Sequence, residues 1–244
     1  MTLISTGLPS LNTLLGGGLQ PGTLTIVAGR SQSGMTTMLD TICCAAAFRD
    51  QVPTVLADLE TSAADRMLRL ASALSDAPLA AMQRFQLDPD DAARVRDTER
   101  QVTGAPFWFA DDTNTVGGLR RALTQHEPPA RLLLVDGTRF LTDPTGPASA
   151  LRYLADARHI AVVATQPVDW DGGHIGHAMR NLPAGMVGVA DNIVLLHRPI
   201  CSGAGSDGVG VTVTGRHGNA WFPLTADFEH ARLTEAAPHW VTTP

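Results

Sequence analysis

The stretch from Thr23 to Thr37 constrains the fold of this chain more than any other part of the sequence. An apolar, β-branched run from Leu24 to Ala28 is followed by Gly29, by four polar residues and by Gly34. A helical pattern begins directly afterwards at Met35. This order predicts a strand, a glycine-bounded loop and a helix, with the loop lying at the start of the helix.

The spacing of the two glycines fits the phosphate-binding pattern G-x-x-x-x-G-K-[ST] at every position but one. Such a loop turns its backbone N–H groups toward an anion, and the helix dipole adds positive potential. We therefore predict a nucleotide site, with the Thr36 hydroxyl as a ligand of Mg²⁺; an unrelated glycine-rich turn is the alternative. The predicted nucleotide-binding residues are Gly29, Arg30, Ser31, Gln32, Ser33, Gly34, Met35, Thr36 and Thr37.

The exception to the pattern is Met35, which stands where lysine is expected. The lysine would be the mobile point charge that reaches the β- and γ-phosphates. Methionine has the same unbranched stem and carries no charge. All 18 basic residues of the chain are arginine, so no lysine from elsewhere in the chain can take this place.

Length and charge limit the number of domains and the class of partner. A chain of 244 residues fits one α/β domain, which we predict at residues 1–235, with a disordered tail at 236–244. The net charge of −6 argues against a protein that coats nucleic acid by neutralising its phosphates. Neither a membrane-length apolar run nor a signal peptide is evident, so we expect a cytoplasmic protein without a membrane partner. Cys43, Cys44 and Cys201 lack zinc spacing and are expected to be reduced thiols.

Three predicted apolar strands lead into side chains suited to nucleotide chemistry, namely Glu60, Asp136 and Gln166. Ligands of open α/β sheets bind at the carboxyl ends of the strands, where these residues are expected to lie. We predict Glu60 as a general base, Asp136 as the carboxylate of the Mg²⁺ shell, and Gln166 as a γ-phosphate sensor. The alternatives are a solvated loop acid at Glu60 and a backbone-bonded amide at Gln166.

The remaining segments are predicted from periodicity and glycine content. We expect a helix over 117–126, strands over 159–165, 191–196 and 208–213, and a final strand through Leu224. The glycine-rich stretch 167–188 shows no clear periodicity and is predicted to be a mobile loop. His174 and His177 in that stretch could ligate a metal, but no third ligand is evident.

With these features together, the chain resembles, from about Ile4 to Leu233, the RecA-like ATPase domain of DnaB-type replicative helicases (superfamily 4). The segments that carry the resemblance are Thr6–Leu11, Gly17–Gly22, the phosphate loop, Leu59–Ser62, Asp111–Thr113, Thr165–Gln166, Ala190–Asp191 and Arg216–Gly218. The resemblance implies an α/β, RecA-like P-loop NTPase fold. Its sheet would be mostly parallel, twisted and flanked by helices, with antiparallel strands at the C-terminal end.

The resemblance also implies roles and partners. Glu60 matches the family's catalytic glutamate, Gln166 its phosphate sensor, and Arg216 the arginine finger that reaches the nucleotide of a neighbouring subunit. ATP and Mg²⁺ would be the cofactors, a hexamer the assembly, single-stranded DNA a ligand, and DNA replication the process. The chain departs from the family at Met35, at Thr214 where the family has lysine, and in channel loops whose one candidate cation is Arg180. The family's N-terminal collar domain has no counterpart in this sequence.

Three functional hypotheses follow from these matches and departures. The first is a DnaB-like protein with a degenerate nucleotide site, weak or absent ATP hydrolysis, and action through self-assembly or an unidentified protein partner. The second is an active ATP-dependent DNA helicase or translocase in DNA replication or repair, in which Met35 is tolerated. The third is an ATPase of the related KaiC and RadA branch, whose Leu14–Leu19 approach is also similar.

Overall fold

The protein is described by a computed structural model that covers residues 2–110, 113–170, 175–183, 185–198 and 207–236. The predictions made for the acidic pair 111–112, His174, Cys201 and the tail from 237 onward lie outside these residues. None of the helices in the described segments combines the length and apolar character needed to cross a bilayer.

A single sheet of nine strands organises the described part of the chain. The strands are β1 Leu24–Gly29, β2 Thr54–Asp58, β3 Phe107–Phe109, β4 Leu132–Asp136, β5 Ala161–Pro167, β6 Asn192–His197, β7 Gly208–Gly215, β8 Gly218–Asp227 and β9 Arg232–Glu235. Their order in the sheet is β3-β2-β4-β5-β1-β6-β7-β8-β9. Strands β1 to β6 pair in parallel, whereas β7, β8 and β9 are antiparallel. The predicted fold class is therefore confirmed.

The helices connect the strands and cover both faces of the sheet. They are α1 Pro9–Leu14, α2 Met35–Cys43, α3 Ala63–Ser75, α4 Leu79–Gln83, α5 Pro89–Thr103, α6 Val116–Ala122, α7 Pro147–Arg158, α8 Ile175–Asn181 and α9 Met186–Val189. Helix α2 continues into a π-helical turn, Cys44–Arg49, and a short 3₁₀ turn, Thr138–Phe140, follows β4.

Strand β1 is buried on both faces, as expected for a central parallel strand. On one face, Ile26 lies in a buried apolar cluster that includes residues of α7. On the other face, Val27 packs with Met38 and Ile42 of α2. This packing fixes the start of α2 directly over the carboxyl end of β1.

The stretch predicted to be a loop contains two helices, α8 and α9, so that prediction is wrong for these residues. Ala178, Leu182 and Met186 are all buried against one core cluster. Ala178 lies in α8, Leu182 directly after that helix and Met186 at the start of α9, so both short helices are anchored by burial against the core. Both helices are too short to show a clear periodicity among the surrounding glycines.

Three other boundaries differ from the sequence predictions. Helix α6 ends at Ala122 instead of reaching residue 126. Strand β5 begins at Ala161 because His159 ends α7 in a left-handed conformation, with φ of 54°. The chain also continues past Leu224 into a hairpin that adds β9 to the sheet. The division into one domain and a disordered tail stays a prediction.

Candidate nucleotide site

The loop between β1 and α2 passes from the end of the strand around the start of the helix. Two of its residues have left-handed backbone, with φ of 68° at Gln32 and 101° at Gly34. The N–H of Met38 donates to the carbonyl of Gly34 at 2.8 Å and begins the helical hydrogen bonds. The N–H groups of the three preceding helical residues have no partner within the helix and are available to an anion.

Ser33 supplies a second feature that fits a phosphate. Its hydroxyl is buried and has no hydrogen-bond partner in the described residues. A Cβ placed on Gly29 would lie 2.4 Å from this hydroxyl, so the glycine is required for the close approach. An unpaired buried hydroxyl is unfavourable unless a ligand or water bonds it, and a phosphate oxygen would do so. The loop therefore fits the phosphates of a nucleotide.

Met35 lies at the first position of α2 and is partly buried. Its side chain packs against the core cluster on the α2 face of the sheet. The position that carries a phosphate-binding cation in the sequence pattern therefore contributes apolar packing instead.

The carboxyl ends of four neighbouring strands lie along the side of the sheet that holds this loop, which we call the sheet edge. Asp58 and Asp136 are register partners on β2 and β4, and Gln166 on β5 stands opposite Ala28 on β1. Neighbouring strands lie about 4.8 Å apart, so Asp136 is about 10 Å from the end of β1. The sequence predicted this convergence of Asp136 and Gln166 on the loop.

Asp136 is engaged at both carboxylate oxygens. Oδ1 accepts a hydrogen bond from the Thr165 hydroxyl at 2.6 Å, and Oδ2 accepts one from Arg66 Nη1 at 2.5 Å. The residue is only 3% exposed. Its polar partners are therefore already provided by the protein.

Arg66 lies at the centre of a buried charge cluster that joins α2, α3 and two strand ends. The side chain is 0% exposed, with Nε 2.8 Å from Asp40 and Nη1 3.2 Å from Asp58. Arg69 pairs with the other oxygen of Asp40 at 2.7 Å and donates to the Thr37 hydroxyl at 3.2 Å. The cluster could not be predicted from the local sequence, because Arg66 lies on α3 and its partner Asp40 lies on α2.

Burial dominates the ionisation of this cluster. Desolvation raises the pKa of Asp40, and the nearby charges of Arg66 and Arg69 offset only part of that rise. Burial alone would lower the pKa of Arg66, but its three carboxylate partners raise it overall, so the guanidinium is permanently charged. Burial also raises the pKa of Cys43, which is a free thiol.

Asp136, which was predicted to hold Mg²⁺, does not fit a metal ion in this arrangement. Asp136 is already paired with a buried guanidinium, and a divalent ion at the same carboxylate would be repelled by that charge. In the described segments, no group of three or more His, Cys, Asp or Glu side chains could hold a metal ion. The predicted coordination of Mg²⁺ by Asp136 thus lacks support from the geometry, whereas the role of Thr36 stays a prediction.

Glu60 lies just beyond β2, at the same edge of the sheet. Its carboxylate pairs with Arg139 at 3.3 Å, and both side chains are partly exposed. A Cβ on Gly137, which has φ of 88°, would lie 2.7 Å from Glu60 Cγ, so this glycine leaves room for the glutamate. The Glu60 side chain therefore reaches solvent at the same end of the sheet as the loop.

Gln166 is nearly buried, and its amide already has partners. The Thr138 hydroxyl lies 2.7 Å from Gln166 Oε1, and Nε2 donates to the Pro167 carbonyl at 2.9 Å. These bonds orient the amide beside the end of β1. They match the alternative of a backbone-bonded amide and would have to be exchanged for contact with a phosphate.

Arg216 lies at the opposite edge of the sheet from the phosphate loop. It sits in the turn between β7 and β8 and pairs with Asp191, which precedes β6. Asp191 also accepts from the backbone N–H of Leu24, at the amino end of β1. Because β1 is six residues long, about 20 Å separates Arg216 from the loop of its own chain.

Comparison with known proteins gives one family match and several relatives. A family profile described as the DnaB-like helicase C terminal domain matches residues 4–152. The replicative DNA helicase DnaB of Leifsonia xyli subsp. xyli is 32% identical over 114 residues, which cover 47% of this chain and 25% of the relative. The replicative DNA helicase DnaB of Pasteurella multocida is 31% identical over 150 residues, or 59% of this chain and 32% of the relative. The matched part of this chain thus spans about a quarter to a third of these relatives.

Solved structures share the fold at low sequence identity. The structure of a DnaB-like replicative helicase, described with its interactions with primase, has a TM-score of 0.84 and 14% identity, covering 97% of this chain and 64% of that one. A solved ATPase domain has a TM-score of 0.81 and 13% identity, covering 97% and 92%. The RadB recombinase has a TM-score of 0.62 and 17% identity, covering 96% and 100%. At these identities the likeness shows the fold alone.

Proposed function

Because this chain belongs to the family of DnaB-like helicase C-terminal domains, we propose that it is a RecA-fold protein with a degenerate nucleotide site. It binds ATP weakly, hydrolyses it slowly or not at all, and acts through self-assembly or a protein partner. The observation that carries this proposal is Met35, an uncharged side chain at the start of α2 in a chain without lysine.

Retained nucleotide binding is supported by the loop itself. Gly29 leaves room for the Ser33 hydroxyl, which is buried and unpaired, and Gly34 has the left-handed backbone that starts α2. These features cost conformational freedom and hydrogen bonding unless a phosphate uses them. They support a loop that still accepts an anion.

The weakness of that binding follows from the missing charge. A charge-assisted contact contributes roughly 1.5 to 3 kcal/mol, so its loss lowers affinity by about ten- to a hundredfold. The loss is larger in the transition state, where negative charge develops on the transferred phosphoryl group. Turnover is therefore affected more than binding.

Self-assembly is supported by the position of Arg216. Since this residue lies at the sheet edge remote from its own loop, it can reach a nucleotide only on a second copy of the chain. A ring of the hexameric kind implied by the resemblance would provide that contact, after Arg216 leaves Asp191. The curated relatives are named replicative DNA helicases, and the DnaB-like helicase of similar fold is described with primase, so the partner in this proposal is a replication protein and the location is the cytoplasm.

ATP turnover tests this proposal. We expect the rate at saturating ATP and Mg²⁺ to stay near background, both without and with single-stranded DNA. Clear stimulation of turnover by single-stranded DNA would contradict the proposal. Light scattering on the same sample reports whether the protein assembles.

The second candidate is an active DNA helicase or translocase, in which a neighbouring subunit supplies the missing charge. It is favoured by the presence of Glu60, Gln166 and Arg216 together in one fold. If turnover is observed, Arg216→Ala should abolish it and leave ATP affinity largely unchanged, because the finger contacts the neighbour's nucleotide. Equal turnover in Arg216→Ala would argue against this candidate. The family match makes the KaiC and RadA alternative the least supported of the three.

A further inference from the structure

The Arg66 guanidinium occupies the space between two carboxylates at the sheet edge. Its Nη1 atom lies 2.5 Å from Asp136 Oδ2 and 3.2 Å from Asp58 Oδ2. Asp58 and Asp136 stand side by side at the ends of neighbouring parallel strands. One nitrogen thus bridges oxygens of two carboxylates, as a small cation bound between them would do.

Divalent ions in nucleotide sites usually bind one or two carboxylates together with phosphate oxygens and water. Here the two carboxylates at the strand ends already share a cation, and all three side chains are almost completely buried. Burial weakens the screening of charge, so a metal ion would meet strong repulsion from the guanidinium.

The other partners of Arg66 hold it in this position. Asp40 on α2 lies 2.8 Å from Nε, and Asp40 is itself held by Arg69 at 2.7 Å. Arg66 therefore faces three carboxyl groups at once and limits the repulsion among them. Movement of the Arg66 side chain away from Asp136 would also break its pairing with Asp40 and Asp58.

We infer that Arg66 is a resident cation that takes the place of a metal ion at Asp136, so that this site takes up nucleotide without a divalent ion. The inference rests on the nucleotide binding proposed above. It goes further because it assigns the neutralising charge at the sheet edge to a side chain of this protein.

Titration with Mn²⁺, followed by electron paramagnetic resonance in the absence of nucleotide, tests the assignment. Removal of the guanidinium should open the space between Asp58 and Asp136, so Arg66→Met is expected to bind Mn²⁺ at least about tenfold more tightly than the wild type. The double variant Arg66→Met/Asp40→Leu should show the same gain and keeps the test valid if the single variant does not fold. Asp136→Asn added to either variant should remove the gain.

The matched control is Arg69→Met, which removes a cation from the same cluster without opening the space beside Asp136. Its affinity for Mn²⁺ should stay within about threefold of the wild type, since Arg66 is still in place. Wild-type protein that binds Mn²⁺ as tightly as the Arg66 variants, and loses that binding on Asp136→Asn, would overturn the inference.

A second measurement uses the wild type alone. Its affinity for ATP should differ by less than about threefold between excess Mg²⁺ and excess EDTA, because the site supplies its own cation. A gain of about tenfold or more in Mg²⁺ would overturn the inference. If ATP binds under neither condition, the proposed nucleotide binding is wrong, and the Mn²⁺ titration still decides the role of Arg66.

Discussion

Met35→Lys is expected to tighten ATP binding by about ten- to a hundredfold. The substitution restores one charge-assisted contact, worth roughly 1.5 to 3 kcal/mol, to a loop whose backbone already has a phosphate-binding shape. The lysine stem has to leave the apolar cluster that Met35 packs against, and this places the gain toward the lower end of the range. Calorimetric titration measures the affinity, and a larger ATP-induced rise in melting temperature provides an independent measure.

Met35→Gln is the matched control for this prediction. Glutamine has a similar length and is polar but uncharged, so it should leave ATP affinity within about threefold of the wild type. An equal gain in both variants would attribute the effect to lost apolar packing, and no gain in Met35→Lys would mean that the loop is closed to ATP for another reason. Higher affinity with turnover still at background would point to the pairing of Asp136 with Arg66 as a second block to hydrolysis.

The architecture around the phosphate loop could be predicted because its signals are local in the sequence. The run from Leu24 to Ala28, the two glycines and the helical pattern after Met35 lie within one short segment. The helix cap at α3 is similarly local, since Ser62 accepts a hydrogen bond from the N–H of Asp65. Such local patterns determine the secondary structure here because few tertiary contacts favour a different conformation.

The missed elements depend on contacts that the local sequence does not reveal. Helix α8 lies in a glycine-rich stretch, and Ala178 and the partly buried Met179 pack it against a core cluster formed by distant parts of the chain. Strand β9 has charged residues at both ends, so its short sequence gives little sign of a half-buried strand. The burial of Leu233 in the core cluster that includes residues of α2 indicates the strand only in the folded protein. In both cases tertiary burial outweighs a weak local preference.

The sequence predicted where the residues of the candidate site lie, but not which charged side chains pair with one another. Glu60, Asp136 and Gln166 could be placed at one sheet edge because parallel strands end there. The pairing of Asp136 with Arg66 could not, because it joins residues 70 positions apart on separate elements. An acidic residue directly after Met38 and Leu39 on the core-facing helix α2, namely Asp40, was an available sequence signal for such a partner.

Arg66→Met is expected to lower the free energy of unfolding by about 3 to 5 kcal/mol. The substitution leaves Asp40, Asp58 and Asp136 buried without their shared cation, and the desolvation cost of these carboxylates is then uncompensated. This is a large fraction of the stability of a typical domain. Urea unfolding measures the change as a lower midpoint at an unchanged slope.

Two variants show whether that loss comes from unpaired charge. Arg66→Met/Asp40→Leu removes one of the stranded carboxylates, whose pKa is already raised by burial, and should recover about 1 to 2 kcal/mol of the loss. Arg100→Met makes the same change at an arginine that is 86% exposed and should shift stability by at most about 0.5 kcal/mol. A loss at Arg66 no larger than at Arg100 would show that the guanidinium is not held among the carboxylates. If the double variant recovers no stability, the loss would come from the packing of the arginine stem between α2 and α3. The two variants share the change in side-chain volume at residue 66 and differ in buried charge.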